Sequence, residues 1–239
     1  RLDTWRGKLL NCQYFNDRII EGRAQIMAKL SFHDAADMVS ETYAGTNTAD
    51  IETSIDVAGV QAVYLKNGTL VIPGTNELSD WVDFNLNLGG SSAVDGHGFE
   101  VVAGDSGARW HAGFLEHAQM VYMFAKGVRP KFIVGHSLGA ASAQIVGMSL
   151  RVPTVAFASP QTCRTRTRLP NEGWVVNICR IDDTVCHFPP KFLGFRTIGS
   201  RYWLKPDALD AEEDHKIHNY ADLLKLKRIK DQVGTHWPR

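Results

Sequence analysis

The chain has no apolar run of about 18 residues, the length a helix needs to cross a hydrocarbon core. It has no charge imbalance either. Lys plus Arg and Asp plus Glu both number 26, so no net field draws it to nucleic acid or an anionic membrane. Cysteine is scarce: Cys12, Cys163, Cys179 and Cys186 include no C-x-x-C pair, which argues against a zinc ribbon or dithiol redox motif. Nor is this the density of a small secreted scaffold stapled by disulfides. There are no repeats, no low-complexity tract and no linker-like shift in composition, so one domain is expected over residues 1–239. The opening Arg1-Leu2-Asp3-Thr4-Trp5 lacks the layout of a secretory leader. A soluble protein with no signal peptide in these residues is expected, secreted after processing and intracellular both being open. What remains is an ordinary globular composition, 44% hydrophobic and 22% charged, able to bury a real core.

Periodicity gives the elements. Asp17 to Ser40 is helical in pattern, with Ile19, Ile20, Met27 and Leu30 as buried candidates. Val60 to Lys66 and Thr69 to Ile72 read as a hairpin around Asn67-Gly68. Gly89 to Gly107 reads as a loop with one short strand near Phe99 to Val102. Trp110 to Lys126 is amphipathic, with Phe114, Leu115, Ala118, Val121, Tyr122 and Ala125 on one helical face. Further strands are expected at Lys131–Val134, Thr154–Ala158 and Trp174–Ile181, and a last helix from Asp214 to about Leu226. Strands alternating with helices predict an α/β fold with a mostly parallel central sheet flanked by helices.

Between the Lys131–Val134 strand and a helix of small residues stands Gly135-His136-Ser137-Leu138-Gly139. A G-x-S-x-G turn from strand to helix exposes its serine at the tip of a strained backbone. The glycines leave room where β-carbons would not fit, and the Leu138 N–H sits at a helix start where it can donate to an oxyanion. Such a serine needs a base, and the base needs a carboxylate. In sheets of this kind the order is serine, acid, histidine. Asp182 and Asp183 follow the Trp174–Ile181 strand, though an Asp-Asp pair is more often a solvated turn. His187, His215, His218 and His236 lie downstream, and His215 and His218 open the last helical pattern.

Four blocks, in order, carry a family resemblance. Val71-Ile72-Pro73-Gly74-Thr75-Asn76-Glu77-Leu78-Ser79-Asp80-Trp81 resembles the oxyanion and lid segment of the class 3 (fungal-type) lipases. His111-Ala112-Gly113-Phe114-Leu115, Ile133 to Ala141, and Asp183-Thr184-Val185-Cys186-His187-Phe188-Pro189-Pro190 are similar to the H-x-G-F-L, nucleophile and acid blocks of that family. The resemblance spans roughly residues 60 to 225 and implies an α/β-hydrolase fold. It implies Ser137 as nucleophile, Asp183 rather than Asp182 as acid, and Leu138 and Thr75 as oxyanion-hole donors. The family histidine precedes an aromatic as H-x-x-Y or H-x-x-x-x-Y, and His215 stands at the longer spacing from Tyr220, whereas His218 matches neither. Two positions depart from the pattern. Pro73 stands where the family has an arginine, which removes any salt bridge bracing the oxyanion loop. Cys186 replaces a proline after Val185, which leaves Asp183 in register.

Lesser signals complete the reading. Leu78, Trp81 and Val82, with Leu86, lie at helical spacing within residues 77–90, consistent either with a buried face or with a lid over an acyl site. His111, Glu116 and His117 do not share a helix face, so no metal and no cofactor is expected. His136 is expected to point away from Ser137, into the core. Arg164, Arg166, Arg168, Lys191, Arg196 and Arg201 make a basic cluster, by default a solvated rim. The resemblance implies a serine carboxylic-ester hydrolase, most simply an acylglycerol lipase, acting on an acyl ester at or near a lipid–water interface. A phospholipase A1 or small-substrate esterase is the runner-up, and an inactive hydrolase-fold binding protein the alternative outside enzymes. No nucleic-acid partner is expected.

Overall fold

A computed structural model of the protein describes residues 29–74, 101–209 and 214–238. Its elements are β1 (Leu30–Ser31), α1 (Phe32–Ala44), β2 (Ile51–Val57), β3 (Val60–Leu65), β4 (Thr69–Ile72), β5 (Val101–Ala103) and β6 (Arg109–His111). There follow α2 (Ala112–Val128), β7 (Phe132–His136), α3 (Leu138–Leu150), β8 (Thr154–Phe157), β9 (Cys163–Arg164) and β10 (Val175–Arg180). The chain continues through β11 (Phe195–Arg196), β12 (Ser200–Leu204), α4 (Ile217–Lys225), α5 (Lys227–Val233) and β13 (His236–Trp237).

The main sheet has seven strands in the order β12-β10-β8-β7-β4-β3-β2. It is parallel from β12 to β4 and antiparallel across β4-β3-β2. The predicted hairpin is there, with Val63 opposite Val71 and Tyr64 opposite Leu70. Because side chains alternate along a strand, a sheet covered on both faces needs apolar residues of both parities. In β7, Val134 faces a layer containing Phe32, Val39, Tyr220, Leu224 and Ile229 of α1, α4 and α5. Its neighbour Ile133 faces the opposite layer, which holds Phe114, Val121 and Ala125 of α2 and Ala141 and Val146 of α3. Full burial of each such Val, Ile, Leu or Phe contributes about 1.5–3 kcal/mol. In α3 every residue from Gly139 to Met148 is buried, and small residues let the helix lie close to the strand that precedes it. A second sheet has four strands in the order β11-β9-β6-β5.

Three element boundaries differ from expectation. The helical pattern from Asp17 does not run through Leu30 to Ser40, for Leu30 is extended and pairs with Trp237. Ser31 caps the helix that follows, its hydroxyl accepting from Asp34 N–H at 3.3 Å, and α1 continues to Gly45 at φ 66°. The part of that pattern at residues 17–28 lies outside the described residues, as does Cys12. The helix expected from Trp110 starts at Ala112, because Arg109–His111 pairs with β5 and β9. Phe114, Ala118, Val121 and Ala125 are buried as expected, while Leu115 and Tyr122 are half-buried. The last helix begins at Ile217, not Asp214, and α5 follows it. In each case a hydrogen-bonding partner distant in the chain overrides local pattern. The expected strand near Phe99 to Val102 is β5, described from Val101. Strand β2 was not anticipated. Among the described residues no helix is long and apolar enough to cross a membrane.

Candidate active site

Ser137 occupies the corner between β7 and α3 with φ 60° and ψ −125°. An L-residue in so sparsely populated a region carries strain of order 1–3 kcal/mol, sustained only where the surroundings fix it. Here they do. A β-carbon on Gly139 would collide with the Ile72 carbonyl and lie 2.5 Å from that of Pro73, so β4 presses directly on the turn. The corner leaves Ser137 at the C-terminal end of the central strand, with the Leu138 N–H in the first helical turn, which the helix itself does not use.

Two downstream segments meet it there. Asp183 follows β10 and is fully buried. Its Oδ1 accepts from Val185 N–H at 2.9 Å, forming the turn 184–187. His215 precedes α4. Its Nδ1 lies 3.1 Å from Asp183 Oδ1 and 3.0 Å from Oδ2, and its Nε2 lies 2.7 Å from Ser137 Oγ. Because a carboxylate only accepts, Nδ1 carries the hydrogen and bare Nε2 receives the serine O–H. Burial alone would push the Asp183 carboxyl up, but hydrogen bonding and charge from His215, with the Tyr220 hydroxyl, hold it below its ordinary value. His218 is exposed on α4. Asp214, buried beside His215, is pushed up to about 6 by desolvation and by Asp183 and Asp182.

The Asp182–Asp183 pair is not a solvated turn. Asp182 instead forms a two-pronged ion pair with Arg180, at 3.0 and 2.7 Å, both side chains being buried. Tyr220 is more than a spacing marker: its hydroxyl donates to Asp183 Oδ2 at 2.6 Å and accepts from Arg180 N–H at 3.2 Å. Cys186 is buried with its Sγ 3.6 Å from that hydroxyl. Cys163, Cys179 and Cys186 are free thiols.

Tyr43 at the end of α1 drew no attention in the sequence. Its hydroxyl accepts from Gly74 N–H at 2.6 Å and lies 2.9 Å from His136 Nδ1. The only signal was indirect: with Pro73 in place of an arginine, the loop after β4 needed another brace. Gly74 is required, since a β-carbon there would sit 2.6 Å from Ser137 Cβ. His136 is buried as expected, yet its Nε2 reaches the His215 carbonyl at 2.9 Å. His117 is held by Ser142 at 2.6 Å. In the basic cluster, Arg196 and Arg168 engage the buried Glu172 and Arg201 stacks over Trp203. Among the described residues, His33, Asp34 and Asp37 could share a cation at the start of α1, away from the Ser137 turn in the chain, and His33 pairs with Asp37. Thr75, Leu78, Trp81, Val82 and the segment 77–90 lie outside the described residues.

A strand-borne serine at a strained corner, flanked by parallel strands with helices on both faces, defines the α/β-hydrolase fold. The solved structures similar to this chain carry that fold. Lipase II from Rhizopus niveus superposes with a TM-score of 0.55 at 19% identity, covering 77% of this chain and 84% of its own. A Rhizomucor miehei lipase in complex with its propeptide gives 0.51 at 17%, covering 74% and 70%. The mono- and diacylglycerol lipase of Aspergillus oryzae gives 0.50 at 17%, covering 72% and 71%. No family model matches this chain, and no curated protein sequence matches it.

Proposed function

We propose that this protein is a serine carboxylic-ester hydrolase acting on acylglycerols through Ser137, His215 and Asp183. The observation that carries the reading is the continuous contact from Asp183 through His215 to Ser137 Oγ, ending at 2.7 Å. The likeness to lipase structures supports it. In acylation Ser137 Oγ bonds to the ester carbonyl carbon while His215 Nε2 takes its proton, and the Asp183 carboxylate stabilises the imidazolium. The negative oxygen of the tetrahedral intermediate is held by the Leu138 N–H, with Thr75 proposed as second donor. Collapse breaks the acyl–alkoxy bond, and His215 returns its proton to the departing alkoxide. Water then attacks the acyl-enzyme by the same route in reverse, releasing the acid and restoring Ser137. Residues 77–90, with Leu78, Trp81 and Val82, are proposed as a lid over the acyl chain.

A chain-length series of nitrophenyl esters, assayed below and above emulsion formation, tests substrate class. Preference for long chains and a rise at the emulsion point support a lipase. Preference for short chains without such a rise supports a small-substrate esterase, and hydrolysis confined to phospholipid sn-1 esters a phospholipase A1. A serine-directed phosphonate is expected to label Ser137. Absence of both labelling and turnover would leave a binding protein on a hydrolase fold.

A further inference from the structure

We propose that Tyr43 and His136 are positioning residues, forming a one-way hydrogen-bond chain that ties the backbone before the oxyanion loop to the backbone of the base. The inference rests on the functional reading above and deepens it. Each link has a single permitted direction. The His215 carbonyl can only accept, so His136 Nε2 must carry a hydrogen across their 2.9 Å contact. His136 is 4% exposed and packs against the rings of His215 and Tyr220. Such burial disfavours the imidazolium, pushing the group down to about 3, with repulsion from His215 adding to it. Neutral and protonated at Nε2, it has a bare Nδ1, which at 2.9 Å can only receive the Tyr43 O–H. The Tyr43 oxygen is then free to accept, and Gly74 N–H donates to it at 2.6 Å.

The two ends of this chain matter to the chemistry. Gly74 immediately precedes Thr75, and it is clamped between the Tyr43 hydroxyl and the Ser137 side chain. The other end holds the main chain of His215 itself. Tyr43 is thus the brace that Pro73 cannot supply, and through His136 the brace reaches the base. One missing hydroxyl would let both the donor loop and the base drift. A misplacement of about 1 Å can cost on the order of 10²-fold in rate.

The test compares Tyr43→Phe, His136→Gln and the double variant on a short-chain nitrophenyl ester, with active sites counted by phosphonate labelling. Glutamine can place its amide N–H where Nε2 donates to His215, but it has no acceptor at the Nδ1 position that faces Tyr43. Tyr43→Phe should lower kcat about 10- to 100-fold with KM within about twofold. His136→Gln should lower it less, and the double variant should match Tyr43→Phe, because a series chain cut once loses nothing at the second cut. A kcat within about twofold of wild type in Tyr43→Phe overturns the proposal, as does a loss carried by KM, or a double variant whose loss is the product of the singles. If His136→Gln fails to fold, the kcat-against-KM split of Tyr43→Phe decides alone. Tyr43 is 43% exposed and phenylalanine keeps its ring, so that variant tests function with the fold intact. Ser137→Ala separates the two levels. Activity surviving in it removes the functional reading, whereas an inactive Ser137→Ala beside a normal Tyr43→Phe removes only the chain.

Discussion

The turn at residues 135–139 and the segments bearing Asp183 and His215 reach the same point by opposite means. The turn is shaped by repulsion: carbonyls of β4 press on Gly139, strands flank β7, and Ser137 is left in a conformation it would not choose. The segments bearing Asp183 and His215 are shaped by attraction. Asp183 is held by Val185 N–H and Tyr220, and His215 by Asp183 below and His136 behind. The contrast teaches that a steric device is written in neighbouring residues, while a hydrogen-bonded one depends on partners tens of residues away. It also implies different failure modes, for crowding fails by unfolding and bonding fails by loss of alignment.

The largest contrast is at the turn. Ser137→Ala should cut turnover by about 10⁶-fold, judged from the loss of a nucleophile in a comparable unit, with the melting temperature nearly unchanged. Gly139→Ala should instead abolish folding or lower the melting temperature strongly, since the added carbon meets the backbone carbonyls of Ile72 and Pro73. Normal activity in Ser137→Ala would sink the functional reading. Next, His215→Ala should remove turnover by several orders of magnitude, whereas the exposed His218→Ala should leave it close to wild type. Inverted outcomes would move the base to His218.

Adjacent aspartates sharpen the comparison further. Asp183→Asn should lower kcat by about 10⁴-fold, because an amide can hold the wrong imidazole tautomer and cannot offset the imidazolium. Asp182→Asn should act on stability, costing about 3–5 kcal/mol by stranding a buried Arg180, with kcat per folded molecule little changed. Denaturant titration beside active-site counting distinguishes the two. A smaller effect is expected from Tyr220→Phe, which leaves one Asp183 oxygen and the Arg180 N–H without their shared partner. The cost of about 1–3 kcal/mol should be divided between unfolding midpoint and kcat.

The mildest prediction concerns pH. Burial pushes His111 and His117 down to about 4 and His136 to about 3. With folded values depressed, the stability they contribute is present above the ordinary histidine value near 6.5 and is lost as pH falls toward 4. Near pH 5 each adds a slope of about 1.4 kcal/mol per pH unit. Asp214 has the opposite sign: its value is raised to about 6, so its contribution is greatest in acid and disappears as pH rises through 6. Unfolding midpoints from pH 4 to 8 should therefore fall on acidification, and Asp214→Asn should raise them progressively from about pH 4, with the full gain reached above pH 6. A flat profile would show that the three histidines are not buried neutral.

The sequence alone determined what neighbours in the chain can enforce. The G-x-S-x-G corner, the Asn67-Gly68 hairpin, the short apolar strands alternating with helices and the small-residue helix behind Ser137 were all legible, because sterics and side-chain patterning act over a few residues. Spacing to Tyr220 favoured His215, but that rested on likeness rather than on any property of the residue. Only the tertiary structure put His215 and not His218 against Ser137, turned Asp182 toward Arg180 and Asp183 toward the histidine, and set Tyr43 beside Gly74. It also ended helices where a distant strand or cap claimed the backbone. The reason is that a buried polar group must find its partner wherever the fold brings one. Partners lying 78 residues apart, as Ser137 and His215 do, are chosen by where two loops end, which no local pattern records.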